Sequence, residues 1–149
     1  MFRGQFEQKI DAKGRISLPA RFRQSAADGA PMRFVLAPAL FDACLHLYPL
    51  AAWEELEKKI SALPSMDPHV VRFRRLYISA ACDCEADKAG RLLIPTHLRN
   101  KAHLDKQALW AGMGDHLELW SSEDWEANLA LSPEQEEDFK RAVLEQIKI

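Results

Sequence analysis

Six basic side chains crowd the first 24 residues: Arg3, Lys9, Lys13, Arg15, Arg21 and Arg23, against only Glu7 and Asp11. A local net charge of +4 offers one kind of chemistry, attraction of an anionic partner, and its plain alternative is a solvated strand face. The whole chain, 149 residues with a formal net charge of −2, argues the other way, because nucleic-acid-binding domains are usually basic. Position resolves the conflict. Residues 1–114 hold 17 basic and 12 acidic side chains, whereas Asp115 to Phe139 hold nine acids and neither Lys nor Arg. The near-neutral total hides a polarised molecule with a basic N-terminal surface and an acidic C-terminal stretch.

Catalytic and metal-ligating patterns are sparse. Cys82-Asp83-Cys84 is a C-x-C pair without the second pair or nearby His of a zinc site. His46, His69, His97, His103 and His116 form no H-E-x-x-H or other ligand spacing. No nucleophile elbow, P-loop or dinucleotide fingerprint occurs. The expectation is a protein that is not an enzyme and uses no cofactor and no metal. Three cysteines, an odd number without a secretory leader, predict reduced thiols. Met1-Phe2-Arg3-Gly4-Gln5 lacks a signal peptide's apolar stretch, and no run reaches the ~18–20 apolar residues of a membrane span. A cytoplasmic protein without a membrane partner is expected.

The basic segment recurs. Residues 11–23 read DAKGRISLPARFR and residues 87–99 read DKAGRLLIPTHLR, 76 positions apart without a gap. Asp11/Asp87, Gly14/Gly90, Arg15/Arg91, Pro19/Pro95 and Arg23/Arg99 are identical. The similarity resumes 72 positions apart, pairing Leu45-His46-Leu47-Tyr48 with Leu117-Glu118-Leu119-Trp120 and Trp53-Glu54 with Trp125-Glu126. The change of offset puts a longer loop in the first copy, around Ala27-Asp28-Gly29-Ala30-Pro31. The chain divides into repeat 1 (1–63), a linker helix region (64–76), repeat 2 (77–131) and a C-terminal amphipathic helix (132–149).

Each copy opens as a β-hairpin. Asp bonds its own backbone two residues on, and Gly supplies the positive φ of the turn's last position. Beyond the turn, Ile16 and Leu18 share one strand face and Arg15 and Ser17 the other, so buried aliphatics would leave Arg15 outside. Pro19 ends the strand and starts a short helical segment with Phe22 inward. In copy two, Leu92-Leu93-Ile94 is continuously apolar, which predicts a ribbon face that meets another surface. Phe34–Leu36, Leu45–Tyr48, Ala108–Trp110 and Leu117–Trp120 read as further strands. Leu50, Trp53, Leu56, Ile60 and Leu63 predict an amphipathic helix over 50–63. Asp67-Pro68 caps a linker helix with Val70, Phe73, Leu76 and Tyr77 at helical spacing. Ser121 or Ser122 caps a helix with Trp125 and Leu129. Ser132-Pro133-Glu134-Gln135 is a capping box opening a helix with Phe139, Val143 and Ile147 on one stripe, where the aromatic Phe139 is expected to pack into a core.

The opening Met1-Phe2-Arg3-Gly4, the hairpin Asp11–Arg15 with Pro19 and Arg23, and its copy Asp87–Arg91 with Pro95 and Arg99 resemble the MraZ family of bacterial transcriptional regulators, in order from Met1 to about Trp125. Each half looks like an AbrB/SpoVT-type domain. The resemblance implies an α+β fold in which two swapped-hairpin β-units of one chain form a pseudo-dimeric barrel, with flanking helices and the C-terminal helix. It also implies double-stranded DNA as partner, through short direct repeats upstream of the division and cell-wall gene cluster that includes the protein's own gene. The assembly implied is a homo-oligomeric ring, an octamer or similar, and the place of action the nucleoid.

Carried over residue by residue, the resemblance makes Arg15 and Arg91 the DNA-contacting arginines, and Asp11, Gly14, Asp87 and Gly90 the residues that shape the hairpins. Arg23 and Arg99 fall at another basic position, open to contact or fold support. Lys9 and Lys13 are implied phosphate neighbours, and Arg3 belongs to the same basic set. Copy two has Ala89 for Lys13 and Cys82-Asp83-Cys84-Glu85 for Phe6-Glu7-Gln8-Lys9, so copy one is expected to dominate DNA contact and copy two to lean toward assembly. AbrB-type domains also occur in antitoxins, and the alternative is a protein-interaction module whose acidic Glu134–Asp138 segment holds a partner.

Overall fold

The computed structural model describes residues 1–23 and 32–149; the longer loop expected around Ala27–Pro31 lies outside the described residues. The first half supplies β1 (Gln5–Lys9), β2 (Arg15–Ser17), a 3₁₀ turn at Ala20–Phe22, β3 (Arg33–Pro38), β4 (Cys44–Pro49) and α1 (Leu50–Ser61). Helix α2 (Pro68–Phe73) runs on into a π-helical turn, Arg74–Ile78. The second half repeats the order: β5 (Cys82–Glu85), β6 (Arg91–Leu93), α3 (Thr96–Lys101), β7 (Gln107–Gly112), β8 (Leu117–Ser121) and α4 (Ser122–Leu129). Helix α5 (Pro133–Phe139) continues through a π turn, Lys140–Leu144, to a last turn, Glu145–Ile147.

Helix starts sit where side chains satisfy otherwise unpaired N–H groups. Asp67 accepts from the His69 N–H, Ser121 from the Asp124 N–H, and Ser132 with Gln135 forms a reciprocal capping box.

Six strands form one antiparallel sheet in the order β1-β7-β8-β4-β3-β5, and β2 and β6 form a separate two-stranded ribbon. Each half lends its first strand to the other: β1 pairs with β7, and β5 with β3. The expected exchange of strands is there, but the expected closed barrel is not. The sheet is open, with β1 and β5 as edges. The ribbon hydrogen-bonds within itself and meets β1's end only through the bridge Ile10↔Ile16 among the described residues. Pro19 and Pro95, with no N–H to donate, follow closely on three-residue strands, so this ladder is too short to close the sheet.

The ribbon lies over one face of the sheet. Strand alternation sends Phe34, Leu36, Leu45, Leu47, Trp110, Leu117 and Leu119 toward Ile16, Leu18, Leu92 and Ile94 in one core, with Phe22 and Leu98 from the short helical segments. Fully burying such side chains contributes about 1.5–3 kcal/mol each. The Trp110 indole N–H also donates to the Ser17 carbonyl at 3.0 Å, tying ribbon to sheet. On the sheet's other face Val35 and Ala37 meet Trp53 of α1 and Tyr77 of the π turn, while Ala39, Cys44 and Trp120 meet Trp125 of α4.

Two registers locate a pseudo-twofold axis. In the ribbon Ile16 opposes Leu92, and in the sheet His46 opposes Glu118. Each of these is a pair of equivalent positions in the two repeats.

Two expectations for apolar residues fail. Leu93 is not covered: alternation turns it outward, 59% exposed, directly opposite Arg15. The stripe Phe139, Val143 and Ile147 is 45%, 41% and 58% exposed, because the C-terminal helix projects without burying this face against the body of the chain.

Candidate nucleic-acid interface

Both hairpin turns are built on one carboxylate. Asp11 Oδ1 accepts from the backbone N–H groups of Lys13 and Arg15, each at 2.9 Å, while Oδ2 accepts from Arg15 Nε at 2.8 Å. Asp87 Oδ1 accepts from the N–H groups of Ala89 and Arg91, again at 2.9 Å, and Oδ2 from Arg91 Nε at 3.0 Å. Hydrogen bonds from the Arg15 backbone first, and then its guanidinium, bring the Asp11 carboxyl down to about 2. The same contacts from Arg91 lower Asp87. Both carboxylates stay ionised at neutral pH and hold their arginines by Nε. The two terminal guanidinium nitrogens, the pair that suits a phosphate or the O6/N7 edge of guanine, meet no acceptor among the described residues.

The ribbon's outer face carries Arg15 and Ser17 from β2, and Arg91 and Leu93 from β6, with Arg15 opposite Leu93 and Ser17 opposite Arg91. The two arginines are thus diagonal on one face. Backbone bonds from Leu18 to Gly90 and from Ile94 to Gly14, each 2.9 Å, stitch each turn to the other repeat's strand. A two-stranded ribbon is narrow enough to enter a DNA major groove.

Arg23 and Arg99 cover the turns. Gly14 at φ +85° packs under the Arg99 guanidinium, and Gly90 at φ +78° under Arg23. A Cβ at either glycine would both strain the backbone and collide with the arginine. Each arginine therefore lies across the turn of the opposite repeat, and Arg99 also donates to Thr96 Oγ1 at 2.8 Å.

The basic residues do not all converge. Asp11, Lys13, Gly14, Arg15 and Arg99 meet at one turn, and Asp87, Gly90, Arg91 and Arg23 at the other. Lys9, the last residue of β1, pairs with Gln107 beside the first turn. Arg3 lies at the far end of β1, with its backbone against Gly112. Lys88, exposed in the second turn, and Lys106, whose carbonyl accepts the Ile10 N–H at 2.9 Å, add basic side chains that the motif comparison passed over. Aligning the repeats as turns would have shown Lys88 beside the gap left by Ala89.

A second cluster escaped motif reading altogether. On the sheet face opposite the ribbon, His46 Nε2 lies 3.3 Å from Glu118 Oε2, and the Cys44 thiol donates to the same oxygen at 3.8 Å. His46 Nδ1 is 2.6 Å from the Tyr77 hydroxyl, and the Trp120 N–H donates to Glu118 Oε1 at 3.0 Å. Burial raises the Glu118 carboxyl, but its bonds to His46 and Trp120 outweigh that and leave it lowered. Burial and the neighbouring Glu118 and Asp42 charges push the Cys44 thiol up. Cys82 and Cys84 on β5 are partly buried, and desolvation pushes Cys84 up to about 12.

These features define a class: a tandemly duplicated α+β protein whose halves exchange strands and present paired, carboxylate-held arginines on a shared ribbon. The family model described as "MraZ protein, putative antitoxin-like" matches residues 1–76 and again 77–146. A protein named Transcriptional regulator MraZ from Marinomonas sp. (strain MWYL1) is 46% identical over 127 residues, covering 85% of this chain and 84% of that protein. Proteins of the same name from Pelotomaculum thermopropionicum and Halothermothrix orenii are 45% identical over 126 residues and 39% identical over 143. They span 85% and 96% of this chain, and 83% and 96% of their own lengths. The chain belongs to the MraZ family, a family of regulators rather than enzymes.

Proposed function

We propose that this protein is a sequence-specific DNA-binding transcriptional regulator that grips double-stranded DNA with the β2–β6 ribbon. The observation that carries this reading is the outward pair Arg15 and Arg91, each fixed through Nε by its own turn aspartate. Its terminal nitrogens remain for a guanine edge or a phosphate. Each good bidentate base contact is worth about 1–3 kcal/mol of discrimination, and Lys9, Lys13, Lys88 and Lys106 add phosphate attraction near the turns. Arg23 and Arg99 act by bracing the turns. Leu93, between the arginines, supplies an apolar contact of the kind that suits a thymine methyl group. The targets are short direct repeats upstream of the division and cell-wall gene cluster that includes the protein's own gene, and the protein acts at the nucleoid in the cytoplasm.

One ribbon releases few counterions and binds weakly. A homo-oligomeric ring, an octamer or similar, makes later contacts effectively intramolecular, a gain of about 10²–10⁴. Support for assembly comes from two exposed surfaces. Ile60, Val71 and Ile78 floor an open groove of about 370 Å³ between α1 and α2 with its π turn, rimmed by Arg74 and Arg75 and by Glu57. The C-terminal helix offers Phe139, Val143 and Ile147 behind the acids Glu134, Glu136, Glu137 and Asp138. The helix of a second copy would lay its apolar stripe on this apolar floor, with Glu134 near the groove's arginines.

Arg15→Ala is expected to abolish binding to repeat DNA in a gel-shift titration at fixed salt while the oligomer persists in size-exclusion chromatography. Unchanged affinity overturns the reading. The same exposed helix favours a second one, an antitoxin-type module whose C-terminal segment holds a partner protein. Stoichiometric co-purification of a small protein, lost on removing residues 132–149, would establish that instead.

A further inference from the structure

We propose that Cys44, His46 and Glu118 form a site for one zinc-class divalent ion on the sheet's helix-covered face. Strand alternation places Cys44 and His46 on the same side of β4, and the β4–β8 register sets Glu118 opposite His46. The three candidate ligand atoms all lie within 4.8 Å of one another. Tetrahedral zinc with bonds of about 2.0–2.3 Å separates its ligand atoms by roughly 3.3–3.8 Å. Two of the separations, 3.3 Å from His46 Nε2 to Glu118 Oε2 and 3.8 Å from Cys44 Sγ to the same oxygen, already fall there.

The surroundings orient the set. For the ion to bind, the Nε2 proton that His46 shares with Glu118 is given up and Nδ1–H is donated to the Tyr77 oxygen, which turns the Nε2 lone pair toward the centre. The Trp120 N–H occupies Glu118 Oε1 and leaves Oε2 inward. Such outer partners fix ligand tautomer and direction at metal sites. Cys44 is buried, and the His46 and Glu118 side chains are only 19% and 13% exposed, so bulk water competes little. The ring of His116, bonded through Nδ1 to Asp115 at 2.7 Å, stands 4.9 Å from that of His46, centroid to centroid. On binding, the thiol proton leaves to solvent and the sulfur lone pair takes its place on the metal.

The site exists only because the repeats diverged. His46 and Glu118 are equivalent positions, as are Cys44 and His116. Two identical copies would bring like residues to the axis. An ion here joins β4 of one half to β8 of the other, beneath Tyr77 of the π turn, and so acts as a clamp between halves.

The test uses the full chain, stripped with chelator and titrated with Co²⁺ as a spectroscopic probe and with Zn²⁺ by calorimetry. One equivalent of Co²⁺ should produce a thiolate-to-metal charge-transfer band. The double variant Cys82→Ser/Cys84→Ser, which leaves Cys44 the sole thiol among the chain's three cysteines, should keep that band. Cys44→Ser should lose it, and Glu118→Gln should weaken Zn²⁺ at least as much as the loss of an outer partner, about 10–100-fold. Absence of the band in the Cys82→Ser/Cys84→Ser protein, folded by circular dichroism, overturns the proposal. So does an undiminished band in Cys44→Ser.

Discussion

The two ends of the pseudo-twofold axis have fared differently since the duplication. On the ribbon side the halves keep the same chemistry, aspartate to backbone and arginine, glycine under the opposite repeat's arginine, aliphatic against aliphatic at Ile16 and Leu92. On the helix side the equivalent positions have parted, with His46 against Glu118 and Cys44 corresponding to His116. The difference teaches where identity matters. A ribbon whose two turns are each stitched to the other repeat's strand needs both turns. A sheet interior only needs complementary partners, and one chain carrying both copies is free to place an acid against an imidazole where a symmetric dimer would oppose like residues.

The comparison breaks most visibly at the ribbon's core. Ile16 and Leu92 are fully buried, so Ile16→Ala and Leu92→Ala should each cost about 2–5 kcal/mol in urea unfolding. Because they face each other, the two losses should be similar. A large loss for one and none for the other would remove the symmetry argument. On the outer face equality should end: Arg15→Ala deletes a contact worth about 1–3 kcal/mol from every subunit and should abolish repeat binding. Arg91→Ala, in the copy with less positive charge, should only weaken it. Equal losses in parallel gel shifts would make the copies equal partners on DNA.

Smaller effects test the turns. Gly14→Ala and Gly90→Ala should each lose about 1–2 kcal/mol for a left-handed backbone, seen as lower unfolding midpoints. Adding Arg99→Ala to Gly14→Ala should relieve the collision and recover part of the loss, whereas adding Arg23→Ala should not. The smallest effect is the acid response. The folded-state value of Asp11 lies below its ordinary 3.8 at about 2, so its contribution is complete above about pH 4 and lost as pH falls through 2. Asp11→Asn should flatten the dependence of stability on pH in that window; an unchanged slope would mean that the turn carboxylate adds nothing.

Much of this was legible in the sequence because it is local or repeated. The 76-residue repeat exposed the paired turns, and Asp67, Ser121 and Ser132 with Gln135 announced their helices by caps that act within three residues. Sheet closure was not legible, since it depends on which ladders short strands such as Arg15–Ser17 join. Leu93 misled because an apolar triplet does not say which member faces out. Phe139, Val143 and Ile147 misled because amphipathicity shows that a helix has an apolar face, not whether its own chain covers it. The Cys44–His46–Glu118 group joins a pair two residues apart to a third ligand 72 positions beyond His46, so no compact ligand motif could reveal it. The signal available was the repeat alignment itself, which puts these polar residues on the same strand face.

Footprinting of the DNA upstream of the protein's own gene, with wild type and Arg15→Ala at one salt concentration, decides whether the ribbon reads direct repeats through Arg15. Protection at regularly spaced short direct repeats is expected for the wild type, and none for the Arg15→Ala protein assembled to the same size. Protection that ignores the repeats, or that survives the loss of Arg15, would contradict it.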